Sequence, residues 1–285
     1  MPRIGLIIRP EWPPERLRGL AAAVEAAGLD DVWLWEDCFW SGGVAAASAA
    51  LAATSTVRVG LGLMPAPLRN PVLAAMEISG LARLFPGRFV PAAGHGVRPW
   101  MEQVGAAVDS PMGLLREWVA AVRALLHGET LTVSGQYVRL DHVALDWPPP
   151  APVPPLLVGA RGPKTLALAG ELADGLCLDA SLTPAGVTRA IEQSAARRPA
   201  EVVVYLPIGS APGSAERILK QLHKPTEPLS ERTALGAPAE VAASIRAFAG
   251  AGATTIALQP TPDDPDIEGT IALAAQARAH LHRQP

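Results

Sequence analysis

The sequence predicts a closed (β/α)8 barrel, a TIM barrel, with one insertion. Four strand–helix units follow one another in about the first hundred residues, which is the mark of parallel βα units. Counting on gives roughly eight apolar strands, each followed by a helix, more than an open doubly wound sheet usually holds. A single irregular stretch, at about 129–150, interrupts the alternation, which then resumes at once. A chain of 285 residues is long enough to bury such a core, so residues 1–285 are read as one domain.

The elements follow in order. Arg3–Arg9 is an Ile- and Leu-rich run suited to a strand buried on both faces, and Glu15–Ala27 has helical apolar spacing closed by Gly28. Asp31–Trp35 is a strand, Val44–Thr54 an alanine-rich helix, Val57–Met64 a strand, and Pro71–Leu84 a helix begun by proline. Arg88–Ala93 is the fourth strand and ends in Gly94-His95-Gly96. Pro111–His127 is a long amphipathic helix, Glu129–Leu140 a hairpin turning at Ser134-Gly135, and Asp146–Pro155 a proline-rich crossing loop. Then come a strand entering Val158-Gly159, a helix from Pro163, the strand Gly175–Leu178, and the helix Pro184–Ala195. Glu201–Leu206, Ala215–Lys224, a loop at Pro225–Ser230, Pro238–Ala249, Thr254–Gln259 and Ile267–His282 complete the chain as strand, helix, loop, helix, strand and helix.

Composition narrows the function. The net charge is −3 and 49% of residues are hydrophobic, which suits a globular protein and argues against a nucleic-acid binder. Cys38 and Cys177 lie far apart without metal-ligand spacing, so neither a zinc site nor a disulfide scaffold is expected. The stretch Val44–Ala53 is too short to span a membrane, no signal peptide is evident, and a cytoplasmic location is expected.

In a barrel of this kind the active site forms at the C-terminal ends of the strands. That gathers Glu11, the loop Glu36–Trp40, Gly62–Met64, His95, the turn 160–164 and Asp179 around one mouth. Glu36 and Asp37 stand beside aromatic residues, where desolvation would raise a carboxyl toward a proton-transfer role; a solvated loop with Asp37 as a helix cap is the alternative. Glu11 suits a second proton-transfer group or a salt bridge. His95, flanked by Gly94 and Gly96, could meet a ligand closely or make a structural hydrogen bond. His142, His223, His280 and His282 lack such a setting, and His127 reads as a helix C-terminal residue. Gly159-Ala160-Arg161-Gly162-Pro163-Lys164 joins a strand to a helix N-terminus, where free N–H groups and Lys164 could cradle a phosphate. Locally, a plain βα corner is an equal reading.

Several of these pieces together resemble the bacterial-luciferase-like oxidoreductase superfamily, especially the branch that uses the deazaflavin coenzyme F420. They are Val-Trp-Leu-Trp-Glu-Asp at 32–37, Arg58–Gly62 with Leu68-Arg69-Asn70-Pro71, Phe85-Pro86-Gly87-Arg88-Phe89, and Val158–Lys164 followed by Leu168–Gly175. The resemblance implies a cofactor, F420 or alternatively FMN, at the barrel mouth, and a non-proline cis peptide near Gly62-Leu63. It implies a cofactor contact at Glu36, a proton donor at Asp37 where relatives have histidine, a cofactor contact at His95 and a pocket glutamate at Glu11. The cofactor surface it implies includes Gly62, Leu63, Met64, Gly96 and Ala160, Arg161, Gly162, Pro163 and Lys164, the last five receiving a phosphate or tail. A homodimer acting on a small organic molecule is implied as well. Val97 stands where sugar-phosphate-oxidising relatives carry a catalytic glutamate, and their basic phosphate-binding set is not evident here. Three functions are therefore carried forward: F420-linked hydride transfer, an FMN-dependent monooxygenase using O2, and a non-catalytic homologue whose ring pocket is filled by Trp35, Trp40 or Met64.

Overall fold

The computed structural model describes residues 1–194, 199–222 and 228–282. In chain order the barrel is built from β1 (Arg3–Ile7), β2 (Asp31–Leu34), β3 (Arg58–Pro65) and β4 (Phe89–Gly94). A hairpin of β5 (Leu131–Ser134) and β6 (Arg139–Val143) stands apart, and β7 (Leu157–Gly159), β8 (Gly175–Leu178), β9 (Glu201–Pro207) and β10 (Thr255–Gln259) complete the barrel. All barrel pairs are parallel, and β10 closes onto β1 with Arg3 opposite Thr255. The protein is a TIM barrel, as the strand count predicts.

Each strand is short and apolar because it is covered on both sides. One set of alternating side chains, including Ile7, Trp33, Leu157, Val203 and Ala257, packs with its like inside the barrel. The other, including Leu6, Val32, Val59, Leu176 and Val204, meets the surrounding helices. Gly60 belongs to the inner set, and a Cβ there would lie 2.4 Å from the indole of Trp33, so the large ring takes the space β3 leaves. Opposite the mouth, the first residues of four strands form a charged plug. Arg58 donates to Asp31 at 2.9 Å and to Glu201 at 2.8 Å, and Arg3 also reaches Asp31.

The helices are α1 (Leu17–Ala26), α2 (Gly43–Ala52), α3 (Pro71–Leu84), α4 (Arg98–Gln103), α5 (Pro111–Leu126), α6 (Pro163–Leu172), α7 (Pro184–Ser194), α8 (Ser214–Gln221), α9 (Pro238–Gly250) and α10 (Ile267–His282). The main differences from expectation lie at three places. Residues 14–16 form a 3-10 turn before α1, so the helix starts later than Glu15. Helix α4 was not expected, since only Met101 of its six residues is buried and it shows no apolar stripe. The hairpin runs past Leu140 to Val143, and its loop is longer than a two-residue turn. The physical reason is Glu117 of α5, whose carboxylate collects the N–H groups of Gln136, Tyr137 and Val138 and fixes that loop. The expected helix ends at Ala195 and Lys224, His223, and residues 225–227 of the expected loop fall outside the described residues.

Candidate active site

The C-terminal strand ends surround a cavity of about 780 Å3. β2 delivers Trp35, Glu36 and Asp37 to its wall; β3 delivers Gly62 and Leu63; β4 delivers His95 and Gly96. The turn after β7 brings Ala160, Arg161 and Gly162, and β8 brings Asp179. The Gly62–Leu63 peptide is cis, at the position the resemblance implies. Leu63 projects across the barrel so closely that a Cβ on Gly94 or Gly159 would stand 2.4 Å from its side chain.

Asp37 is the carboxyl whose environment changes its chemistry. Burial, then the negative charge of Glu11, push it up to about 6, against a smaller opposing pull from Arg9. It does not cap a helix. The capping role near α2 falls to Glu36, which accepts the Gly43 N–H at 3.0 Å and a fork of two bonds from Arg69, one of them at 2.9 Å. Arg69 in turn meets Glu77 at 2.8 Å. Glu36 therefore reaches the wall with both oxygens already engaged, as an organising rather than a free carboxylate.

Glu11 does not line the cavity. It is held by Arg9, whose Nε donates to it at 3.1 Å and whose guanidinium lies 4.4 Å over the Trp35 ring. The salt-bridge alternative thus describes its contacts, while its charge still reaches Asp37. His95 lines the wall with Nε2 3.2 Å from the Thr165 hydroxyl. Burial lowers its pKa, against a contact with the Pro111 carbonyl, so it is a neutral imidazole at neutral pH.

Three residues of the expected cofactor surface are not on the wall. Met64 is fully buried in the layer between barrel and helices, because the bulge after Gly62 turns it outward. Pro163 and Lys164 are exposed and point away, being the first residues of α6. The backbone of that helix start does face the rim: its N-cap, Gly162, lines the cavity and makes no side-chain cap.

Sequence reasoning missed Thr165, Cys177, Tyr205, Gln221, Arg232 and Gln259, all on the wall. Tyr205 stacks on Trp35 at 5.7 Å and donates to the Gly62 carbonyl at 2.8 Å, and the Cys177 thiol donates to the Tyr205 hydroxyl at 3.2 Å. Burial pushes Cys177 up to about 12, so it stays a thiol and is no nucleophile. Strand alternation is the signal that could have found Cys177 and Tyr205. No group of three or more potential metal ligands occurs among the described residues.

Comparison with known proteins gives concordant results. A family model described as luciferase-like monooxygenase matches residues 3–218. A 5,10-methylenetetrahydromethanopterin reductase of Methanolobus tindarius is 30% identical over 193 residues, covering 67% of this chain and 58% of the relative. An F420-dependent glucose-6-phosphate dehydrogenase of Nakamurella multipartita is 31% identical over 191 residues, covering 61% and 55%. The chain thus spans somewhat over half the length of these relatives. Among solved structures, an F420-dependent secondary alcohol dehydrogenase in complex with an F420–acetone adduct superposes with a TM-score of 0.85 at 21% identity, covering 98% of this chain and 99% of the other. The oxygenating constituent of 3,6-diketocamphane monooxygenase from Pseudomonas putida, in complex with FMN, gives 0.77 at 16%, covering 96% and 97%. These two are likenesses of fold.

Proposed function

The chain belongs to the luciferase-like monooxygenase family, and we propose that it is an oxidoreductase passing a hydride between coenzyme F420 and a small organic substrate, with Asp37 as the proton-transfer group. The observation that carries this reading is the Asp37 carboxyl, pushed up to about 6 on the wall of a wide cavity at the barrel mouth. A group that titrates near the working pH can both give and take a proton, which reduction of a carbonyl and oxidation of an alcohol respectively require.

The residues present fit a deazaflavin. The cavity volume, about 780 Å3, is in the range of cofactor sites. Its floor is apolar at Leu63 and Trp35, and its rim carries the N-terminus of α6, whose first-turn N–H groups are left without a side-chain cap and suit a phosphate. When bound, F420 supplies the hydride chemistry. Asp37 supplies or removes the proton at its carboxyl oxygen. Glu11 keeps that proton in place by its charge, Glu36 and Arg69 fix the loop that carries Asp37, and neutral His95 offers a hydrogen bond from the β4 side. Leu63 and Trp35 give the floor an apolar surface.

The F420-dependent relatives support F420 over FMN, although the α6 terminus would equally receive an FMN phosphate. A cofactor-free homologue fits poorly. Met64 lies outside the cavity, Trp40 is 48% exposed against Trp100, and Trp35 is clamped between Arg9 and Tyr205. We further infer one functional unit over 1–285 with the 129–150 region as an insertion, acting in the cytoplasm as a homodimer. The exposed apolar side chains Leu73, Met76 and Leu84 of α3 offer a face for that association, and among the described residues no helix is long and apolar enough to cross a membrane. Fluorescence titration with F420 and with FMN tests the reading.

A further inference from the structure

Arg232 is the one cavity-lining guanidinium without a carboxylate partner among the described residues. It is 6% exposed, and its Nε has no hydrogen-bond partner. The other arginine on the cavity wall, Arg161, is matched with Asp179, and nearby Arg9 and Arg69 are matched with Glu11 and Glu36; Arg217 of α8, which does not line the cavity, is held by the Pro212 carbonyl and the Ser214 hydroxyl. A buried cation left unpaired is costly, and a fold that keeps one has a use for it.

The backbone that carries it is firmly placed. The Arg232 backbone N–H donates to the Leu229 carbonyl at 3.0 Å, the Thr233 hydroxyl donates to the same carbonyl at 2.9 Å, and the Ala234 backbone N–H donates to the Pro207 carbonyl at 2.8 Å while bridging Ile208. The segment that carries Arg232 is thus tied to the end of β9, two strands round the barrel from the α6 terminus that follows β7. Gln221 and Gln259 line the same cavity with neutral amides.

We propose that Arg232 receives a carboxylate on the substrate, so that the molecule oxidised or reduced is an alcohol or carbonyl compound bearing one negative charge. The proposal deepens the hydride-transfer reading of this cavity and rests on it. A guanidinium presents its donors as a planar fork that matches a carboxylate. One cation with no carboxylate partner among the described residues balances one charge. A phosphate dianion would need a second, and Arg161 is engaged by Asp179.

The test compares wild-type protein with Arg232→Gln and Arg232→Lys by calorimetry, using 4-oxopentanoate as the anionic probe and pentan-2-one as its uncharged counterpart, with and without F420. Wild-type protein is expected to bind 4-oxopentanoate about 10- to 100-fold more tightly than pentan-2-one, the range of a hydrogen-bonded charge. Arg232→Gln should lose that preference and Arg232→Lys should keep part of it. F420 affinity, read by fluorescence, should change less than about twofold in either variant if the two subsites are independent. Equal binding of the two probes by wild-type protein would overturn the assignment, as would a preference that survives Arg232→Gln. So would tighter binding of inorganic phosphate than of 4-oxopentanoate, or an F420 affinity that falls with the substitution. The arm without F420 keeps this comparison separate from the cofactor: absence of an F420 signal strikes the hydride-transfer reading and leaves the probe comparison intact. Arg232→Met should raise the unfolding midpoint of the ligand-free protein, because it removes an unpaired buried cation. A lower midpoint would show that Arg232 serves the fold instead.

Discussion

Tyr205 donates its phenolic hydrogen to the carbonyl of Gly62 at 2.8 Å and so ties β9 to β3 across the cavity floor. Burial, reinforced by Cys177, holds the phenol well above its ordinary range, so it remains a neutral donor at any physiological pH. Tyr205→Phe leaves a buried carbonyl and the Cys177 thiol without their partner, and should cost about 1–3 kcal/mol in denaturant unfolding. A variant as stable as wild type would show that the floor does not depend on this bond.

Asp37→Asn should lower turnover by about two to four powers of ten, the usual contribution of a positioned proton-transfer group. In wild type, carbonyl reduction should fall as pH rises through about 6 and alcohol oxidation should rise over the same interval, because the first needs the protonated and the second the ionised carboxyl. Both limbs should vanish in the variant. Stability follows the same group. The native state binds this proton more tightly than the unfolded chain, so stability contributed by the protonated form is complete below the ordinary value of 3.8 and lost as pH rises to about 6. Asn cannot ionise and should remove that slope, which unfolding midpoints at several pH values will read.

Glu11→Gln should move the same midpoint downward. The substitution removes a negative charge that helps hold the proton on Asp37 and frees Arg9, whose charge acts in the opposite sense. A pH–rate profile with the midpoint unchanged or raised would contradict the assigned coupling.

Lys164→Ala should change cofactor affinity by less than about threefold, since an exposed side chain away from the cavity has only a screened, long-range effect. The backbone of the α6 start, and not this ammonium group, faces the rim. A loss of tenfold or more in a fluorescence titration, worth about 1.4 kcal/mol, would put Lys164 back in the site.

The barrel was legible because each buried strand writes a short apolar run and most helices begin at or beside a proline or end near a glycine; α3, β8 and α10 lie where the periodicity puts them. The placement of Glu36 and Asp37 on the cavity wall was legible too, since they sit at a strand end beside Trp35. What distinguishes the two carboxyls was not. Their roles depend on Arg69, more than thirty positions away, which engages Glu36 and leaves Asp37 to be raised. Arg232 carries no periodic signal in a polar loop, and only the return of Ala234 to the end of β9 brings it to the cavity. Lys164 misled because a charge beside a helix start suggests a phosphate ligand, while side-chain direction is set by the first helical turn.

We propose that this cavity takes a deazaflavin for hydride transfer. Titration of the purified protein with F420 and, separately, with FMN, followed by fluorescence quenching, addresses it most directly. Saturable binding of F420 with little or no binding of FMN is the expected result. Saturable binding of FMN with none of F420 would contradict the account and leave an FMN-dependent monooxygenase as the reading of the same site.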